Sequence, residues 1–245
     1  MSTPLLVKLT VAEPRKALQT PRPMGGFLLV FDLDGTLVDS APDLRAALNQ
    51  MLRERGCGPL SLPQVKSMIG DGASALVARA LTASGLQADE TARALPRFLQ
   101  LYEADAVRLT HPYPAVPETL AALRRHGYRL AICTNKPQQA TYAVLEGLGF
   151  APLFDDVAGG DRFAVKKPDP GHLLGLIDAL GASLDATAMI GDGENDAAVA
   201  HAVGLPLVMM RYGYARTDPS LLAADAVLDD FADLPATLER LGLRP

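Results

Sequence analysis

The stretch "FDLDGTLVDS", residues 31–40, decides how this sequence is interpreted. The apolar run "FLLV" leads directly into it, and such a run predicts a strand that is buried on both faces. The strand ends in two acids, Asp32 and Asp34, which are separated by one residue and followed at once by Gly35. Residues two apart on a strand share a face, so both carboxylates are expected on one side of a sheet edge. Gly35 then allows the tight turn that follows.

Several other segments have the composition of buried strands. They are apolar, rich in β-branched residues, and end in polar turns. Helical patterns of about 10–15 residues separate them, and this alternation predicts a doubly wound α/β fold with a parallel sheet. In such sheets, ligands bind outside the carboxyl ends of the strands. The predicted strands are 27–32, 129–134, 186–191 and 205–210, with shorter candidates at 156–161 and 225–230.

The region 42–111 breaks this alternation, because its pattern is helical throughout and contains no convincing strand. It directly follows the first strand and its acidic turn, so we expect an inserted α-helical cap domain that acts as a lid over the site. The α/β catalytic core is then formed by 27–41 and 112–245. Residues 1–26 are interpreted as a flexible N-terminal extension, and Met24 is an alternative translation start.

Composition and charge argue against several classes of function. The chain has 245 residues, 49% of them hydrophobic, and its net charge of −5 provides no attraction to nucleic acid or to an anionic membrane. No apolar stretch approaches the roughly 20 residues needed to span a bilayer, and the N-terminus makes a poor signal peptide. The two cysteines, Cys57 and Cys133, lie far apart, so no disulfide is predicted and a cytoplasmic location is expected. Both a monomer and a homodimer remain open.

Polar side chains collect where the predicted strands end. Because parallel strands bring their carboxyl ends to one edge, these groups are expected to converge on a single crevice. Neighbouring carboxylates repel one another and raise each other's pKa values, and a hard divalent cation with oxygen ligands relieves this repulsion. An open acidic site of this kind suits Mg²⁺. The collected residues are Asp32, Asp34, Thr134, Asn135, Lys167, Asp192 and Asp196.

Four motifs in this set resemble those of the haloacid dehalogenase superfamily. They are "DLDGTLVDS", "TN", "KPDP" and "GDGEND", in the family's order and spacing. The resemblance extends from Phe27 to about Leu234 and includes the helical insert, which is similar to the family's small cap. It implies a Rossmann-like core with a helical cap, and a Mg²⁺-dependent phosphatase that acts on a small phosphorylated metabolite.

The resemblance also implies a role for each motif residue. Asp32 would attack phosphorus and form an aspartyl-phosphate intermediate. Asp34 would protonate the leaving alkoxide and then deprotonate the attacking water. The residues expected to bind the phosphoryl group are Thr134, Asn135 and Lys167. The expected ligands of Mg²⁺ are the carboxylates of Asp32 and Asp192, the main-chain carbonyl of Asp34, and Asp196 directly or through water.

Simpler structural interpretations exist for some of these residues. Asp32 on its own could cap a turn, and Asp196 could serve only as the N-cap of the helix that follows it. Two lysines precede Pro168, and the family pattern places the functional lysine directly before the proline. This pattern favours Lys167 over Lys166.

The cap sequence bears on the type of reaction. The dehalogenases of the family lack a carboxylate at the position of Asp34, so Asp34 argues against dehalogenation. The stretch "IGDGAS" lacks the arginine with which phosphosugar mutases grip a second phosphate, which favours hydrolysis. The longer stretch "MIGDGASALVARAL" resembles the cap loop of bacterial phosphoglycolate phosphatases, which implies hydrolysis of 2-phosphoglycolate to glycolate and phosphate.

The carboxylate of such a substrate needs donors from the cap. Gly70 and Gly72 are expected to direct backbone N–H groups toward it, and Arg79 and Lys66 are the nearby cations. Arg79 could instead lie on a solvated helix face. Alternative functions are a phosphatase for a sugar phosphate or a nucleotide, a phosphosugar mutase, and a non-catalytic binder of phosphorylated ligands. A binder, however, has no need for the acid/base carboxylate of Asp34.

Overall fold

A computed structural model of the protein describes residues 26–245. The predicted extension therefore lies outside the described residues, apart from residue 26. No helix within the described range is long and apolar enough to cross a membrane. The strands, in chain order, are β1 (Leu28–Phe31), β2 (Val38–Asp39), β3 (His111–Pro112), β4 (Arg129–Cys133), β5 (Asp156–Ala158), β6 (Thr187–Gly191), β7 (Leu207–Met210) and β8 (Ala226–Leu228).

The central sheet has six parallel strands in the order β5-β4-β1-β6-β7-β8. Each of the six predicted strand segments contains one of these strands, which confirms the predicted α/β fold class. The strands are one or more residues shorter than predicted at one or both ends, because the polar turns begin where the ladder of hydrogen bonds stops. The chain order reverses at β1, which lies between β4 and β6.

All four residues of β1 are apolar, because both faces of the sheet are covered at this strand. Leu29 and Phe31 pack into one hydrophobic cluster, while Leu28 and Val30 pack into a second cluster on the opposite face. All four side chains are fully buried. Burial of both faces is the usual reason for a continuous apolar run in a parallel strand. The carboxyl end of β1 is thereby held at the centre of the sheet edge.

Four helices precede the return of the chain to the sheet. They follow β2 and end before β3, and these two short strands pair antiparallel at the base of the helical region. Within this region α1 packs on α2 and α4, and α4 also packs on α3. The helices are α1 (Ala41–Arg53), α2 (Leu62–Lys66), α3 (Ala73–Ala83), α4 (Thr91–Glu103), α5 (Val116–Arg125), α6 (Gln138–Gly147), α7 (Pro170–Ala179), α8 (Glu194–Val203) and α9 (Leu234–Arg240).

A buried carboxylate ties the end of the helical region to its beginning. Asp43 lies in the first turn of α1 and is only 3% exposed. Its Oδ2 accepts hydrogen bonds from the backbone N–H of Leu109 at 2.8 Å and of Thr110 at 2.7 Å, and from the Thr110 hydroxyl at 2.8 Å. These bonds satisfy backbone donors that would otherwise be buried without a partner.

Replacing Asp43 should therefore destabilise the protein. We expect Asp43→Ala to lower the free energy of unfolding by about 2 kcal/mol or more, because it leaves buried N–H groups unpaired. Asp105→Ala is the matched control: its exposed ion pair with Arg108 should contribute less than about 1 kcal/mol. Urea unfolding of the two variants measures both values, and equal losses would contradict the assigned role of Asp43.

Candidate active site

Two acids from separate loops meet at the carboxyl end of β1. The backbone N–H of Asp32 donates to the Ile190 carbonyl at 2.9 Å, which joins the end of β1 to that of β6. Asp192 follows β6 directly. Gly35 permits Asp192 to lie close to the turn that follows β1. Its φ is +95°, and a Cβ at this position would collide with the Asp192 carboxylate. The glycine after the two acids is thus required by a close contact as well as by the turn.

Asp192 is held in place through both of its carboxylate oxygens. The Thr36 hydroxyl donates to Oδ1 at 2.7 Å, and the backbone N–H of Tyr214 donates to Oδ2 at 2.7 Å. Burial raises the pKa of Asp192 well above its ordinary value, and the charges of Asp196 and Asp32 raise it further. The side chain is therefore fixed in position while its negative charge is strongly disfavoured.

Lys167 links the other two acids of the group. Its Nζ lies 3.0 Å from Asp32 Oδ1 and 2.6 Å from Asp196 Oδ1, and the side chain is 2% exposed. Burial alone would lower the pKa of Lys167, but the carboxylates of Asp196 and Asp32 outweigh burial and raise it. Lys167 is consequently a cation. Lys166, the neighbour considered as an alternative, instead donates to the main-chain carbonyl of Asp71 at 2.7 Å.

Asp196 is not the N-cap of α8, because that position is taken by Gly193 and Asp196 lies in the first turn of the helix. Its Oδ2 accepts from the backbone N–H of Asp192 at 3.1 Å and of Gly193 at 3.0 Å, so its side chain reaches back to cap the free N–H groups at the start of α8. Its Oδ1 faces Lys167 at the same time. The helix cap thereby orients the carboxylate toward the site.

The acids form a cluster that could hold a cation. Oxygen atoms of Asp32, Asp192 and Asp196 all lie within 4.8 Å of one another. Burial raises the pKa of Asp32 to about 6, although Lys167 lowers it. With Asp34 there are four carboxylates here, against the two ammonium groups of Lys136 and Lys167. A divalent cation with oxygen ligands matches this imbalance, so the residues fit the predicted metal.

Lys136 is a residue of this site that the sequence analysis missed. It is 3% exposed, and its Nζ lies 3.0 Å from both carboxylate oxygens of Asp34. The Ser40 hydroxyl also donates to Asp34 Oδ1, at 2.6 Å. The available signal was its position, since Lys136 directly follows the Thr134–Asn135 pair at the end of β4.

Thr134 and Asn135 lie at the site as predicted from the end of their strand. Thr134 is 2% exposed, and its backbone N–H continues the sheet ladder by donating to the Ala158 carbonyl at 2.9 Å. The Asn135 amide donates to the carbonyl of Gly70 at 3.0 Å and to that of Lys167 at 2.8 Å. Asn135 thus connects the helical region to the core, while its role in binding substrate remains a prediction.

A loop between α2 and α3 contacts the core through Asp71. The Asp71 carboxylate accepts hydrogen bonds from Asn195 at 2.7 Å, from Arg216 at 3.1 Å and from Arg79. Partial burial raises the pKa of Asp71, but these hydrogen bonds outweigh burial and bring the pKa down to about 2. The loop is therefore held over the site by charged contacts from both the helical region and the core.

The structure does not favour the predicted contact of Arg79 with the substrate. Its guanidinium pairs with Asp71 and donates to the Met68 carbonyl at 2.8 Å. Lys66, the other cation considered, lies 2.9 Å from Asp39. Both cations are paired with carboxylates, Arg79 with Asp71 and Lys66 with Asp39, and neither belongs to the lining of the two cavities described next. The charge of Arg79 is used to order the loop.

Two adjoining cavities share Asp32 and Asp34. The larger, about 500 Å³, extends between the core and the helical region, and the smaller, about 340 Å³, contains the acid cluster. We call them the leaving-group cavity and the phosphoryl cavity. Gly70 and Gly72 both line the leaving-group cavity, as does Thr134. The other residues along the phosphoryl cavity include Lys167, Asp192, Asp196, Tyr214 and Arg216.

Comparison of the chain with known protein families identifies its family. A family model described as "Haloacid dehalogenase-like hydrolase" matches residues 29–210. The chain belongs to the haloacid dehalogenase-like hydrolase family. This confirms the resemblance found in the four motifs.

Relatives match this hydrolase over most of their length. The phosphoglycolate phosphatase of Rhodospirillum rubrum is 46% identical over 230 residues, covering 89% of this chain and 95% of that protein. The phosphoglycolate phosphatase of Caulobacter vibrioides is 37% identical over 220 residues, covering 89% and 93%. A crystal structure from Haemophilus somnus, described as a predicted phosphoglycolate phosphatase, is 33% identical with a TM-score of 0.82, covering 86% and 97%.

Cation binding should stabilise this hydrolase in a pH-dependent manner. The folded state raises the pKa of Asp32 from 3.8 to about 6 and raises that of Asp192 as well, so the cation-free protein loses stability as these groups ionise. Saturating Mg²⁺ should raise the Tm by about 5–10 °C near pH 8. The increase should be smaller near about pH 5, where protons compete for the same oxygens. Thermal scans with Mg²⁺ or chelator measure this, and an equal increase in Asp192→Asn would contradict it.

The close approach of the loop between α2 and α3 to the core should depend on Gly72. Its φ is +86°, and a Cβ would lie 2.8 Å from the Asn135 carbonyl oxygen and 2.9 Å from Lys166 Nζ. Gly72→Ala should therefore displace the loop and lower kcat/KM by about 10-fold or more. Gly85→Ala is the control, because Gly85 has a φ of +77° with nothing within 4 Å of the added Cβ. The control should lose about 1 kcal/mol of stability and keep its kcat/KM; equal activity losses would contradict the proposed contact.

Proposed function

We propose that the protein is a Mg²⁺-dependent phosphomonoesterase that hydrolyses 2-phosphoglycolate through an aspartyl-phosphate intermediate. The observation that carries this proposal is the arrangement of Asp32 beside Lys167 with Asp34 next to it, at the junction of the two cavities. The relatives from Rhodospirillum rubrum and Caulobacter vibrioides, both named phosphoglycolate phosphatase, support the choice of substrate. The geometry of the site supports the chemistry independently of these names.

Asp32 has the surroundings of a nucleophile. One of its carboxylate oxygens attacks phosphorus, and the ester oxygen of the substrate leaves on the opposite side. Lys167, 3.0 Å from Asp32, neutralises charge where the anionic nucleophile and the anionic phosphate approach each other. Thr134, at the end of β4, supplies its hydroxyl to the phosphoryl oxygens. Both side-chain N–H groups of Asn135 are engaged by the carbonyls of Gly70 and Lys167, so Asn135 acts on the substrate only by holding these segments in place.

Asp34 transfers the protons. It lies on the lining of both cavities, so its carboxyl group is within reach of the oxygen that leaves and of the water that enters. It protonates the departing alkoxide and then accepts a proton from the water that hydrolyses the aspartyl-phosphate. Ser40 and Lys136 hold this carboxylate in a defined orientation during both steps.

The carboxylates of Asp32, Asp192 and Asp196, with the main-chain carbonyl of Asp34, are the proposed ligands of Mg²⁺. When bound, the ion neutralises negative charge on the phosphoryl group. The hydrogen bonds that Thr36 and Tyr214 donate to Asp192 keep this ligand oriented.

Several further parts of the interpretation remain proposals. We propose that 42–111 forms the cap and that 27–41 with 112–245 forms the catalytic core. Both cysteines are free, in agreement with the proposed cytoplasmic location. A monomer and a homodimer both remain compatible with the proposal.

The nucleophile and the substrate can be tested together. Asp32→Asn should retain the fold and lower kcat by about 10³-fold or more, because the amide cannot form the acyl phosphate. Asp185→Asn, at an exposed aspartate, should keep wild-type kcat.

A panel of phosphate monoesters provides the substrate test. For the wild type, kcat/KM with 2-phosphoglycolate should exceed that with sugar phosphates and nucleotides. A higher value for one of those esters would reject the proposed substrate, and activity that survives in Asp32→Asn would reject the proposed nucleophile.

A further inference from the structure

Lys136 is a buried cation that faces the larger cavity. Its side chain is 3% exposed, belongs to the lining of the leaving-group cavity, and is absent from the lining of the phosphoryl cavity. Its Nζ lies 3.0 Å from both carboxylate oxygens of Asp34, and among the described residues Asp34 is the one carboxylate in contact with it. An ion pair of this geometry places a positive charge beside the cavity.

Lys136 is the one basic side chain that the described residues contribute to the lining of the leaving-group cavity. Apart from the two catalytic acids, no other charged side chain belongs to the lining formed by the described residues. Most of the lining is apolar, and the electric field of a charge is screened less there than in water. The apolar part of the lining consists of Leu44, Ile69, Ala73, Leu76, Phe98, Leu99, Pro137 and Ala140.

Tyr102 adds a second polar group beside Lys136. The ammonium lies 4.4 Å from the centre of the Tyr102 ring. The Tyr102 hydroxyl is buried close to the Lys136 ammonium, and its proton meets no acceptor among the described residues. Burial raises the pKa of Tyr102 to about 12, so the hydroxyl keeps its proton and can donate. A buried hydroxyl whose proton has no acceptor is uncommon, and a ligand that enters the cavity can supply one.

We infer that Lys136 and Tyr102 form a subsite that binds the carboxylate of the substrate's leaving group and so selects phosphate esters of short hydroxy acids. This inference rests on the proposed phosphatase function and extends it to the residues that recognise the substrate. The ammonium has three N–H donors, and it can contact Asp34 and a second carboxylate together. Tyr102 donates its hydroxyl to the same carboxylate.

The position of Lys136 agrees with the size of such a substrate. In 2-phosphoglycolate one methylene group separates the ester oxygen from the carboxylate carbon. Asp34 protonates this ester oxygen in the proposed mechanism, and Lys136 contacts Asp34 directly. A cation one contact away from the general acid therefore lies within reach of a carboxylate one methylene away from the leaving oxygen.

The beginning of α3 supports binding of an anion in the same cavity. Gly72, the N-cap residue of this 11-residue helix, lines the cavity together with Ala73 in its first turn. The positive end of the helix dipole thus faces the same space as Lys136. Esters with a neutral leaving group would leave the Tyr102 hydroxyl unpaired, which provides discrimination against them.

The experiment compares two substrates on the Mg²⁺-loaded enzyme. The first is 2-phosphoglycolate, and the second is 2-hydroxyethyl phosphate, in which a neutral hydroxymethyl group replaces the carboxylate. The ratio of the two kcat/KM values reports on carboxylate recognition. Effects of a variant on Asp34 alone lower both values and cancel in this ratio.

We expect Lys136→Met to reduce the ratio by about 10- to 100-fold, the effect of losing hydrogen bonds to a charged group. Tyr102→Phe should reduce it by about 10-fold, and Lys136→Arg should retain part of the preference. Lys66→Met is the matched control: it removes the same charge from a lysine outside the cavity lining, and the ratio should not change. The inhibition constant of glycolate, measured against 2-hydroxyethyl phosphate, should rise in Lys136→Met by a similar factor.

The outcomes separate this inference from the proposed function. A wild type that prefers 2-phosphoglycolate, with an unchanged ratio in Lys136→Met, would overturn the subsite and leave the proposed function standing. A wild type that prefers another carboxylate-bearing ester, with a ratio that falls in Lys136→Met, would overturn the proposed substrate and support the subsite. A wild type that does not distinguish the two test substrates would overturn the subsite directly.

Discussion

The site depends on one electrostatic constraint, the burial of more carboxylates than ammonium groups at the carboxyl end of β1. Ordinary acids in this position would separate or take up protons. Here they cannot separate, because backbone N–H groups hold them: Tyr214 donates to Asp192, and Asp192 and Gly193 donate to Asp196. Lys167 neutralises only part of the charge. A divalent cation can balance the negative charge that remains, together with that of a phosphoryl group.

The same group of acids separates the cavity proposed for the reaction from the cavity proposed for recognition of the substrate. Asp34 is the boundary, since it lines the phosphoryl cavity with the acid cluster and the leaving-group cavity with Lys136. In the phosphoryl cavity, the acids and Lys167 suit a phosphoryl group together with a divalent cation. The leaving-group cavity has a mainly apolar lining, in which the Lys136 ammonium lies next to the buried Tyr102 hydroxyl.

The loop between α2 and α3 joins these two cavities to the helical region. Asp71 accepts charged hydrogen bonds from both sides, yet its ion pairs with Arg79 and Arg216 are partly exposed to solvent. Ion pairs of this kind contribute little individually. Gly72, by contrast, approaches Asn135 so closely that no side chain fits between them. The missing side chain of Gly72 therefore determines how closely the loop approaches the core. The ion pairs of Asp71 determine the position of the loop along the surface of the core.

The motifs alone predict that one edge of a parallel sheet gathers Asp32, Asp34, Thr134, Lys167, Asp192 and Asp196. This is possible because strand periodicity and the topology of α/β sheets are local or general properties, and because strand ends in such a sheet meet at one edge. Arg79 is an exception. Its closeness in the sequence to Gly70 and Gly72 suggested a contact with substrate, whereas in the structure its guanidinium pairs with Asp71.

By itself, the sequence determined the strands, the run of helices between β2 and β3, and the acids that gather at the carboxyl end of β1. Only the tertiary structure decided that Lys136 contacts Asp34, that Tyr102 lies against Lys136, and that Asp71 gathers its partners from distant segments. These pairings join residues up to 145 positions apart in the chain. They result from how the helical region packs against the core, and no local pattern of residue types specifies that packing.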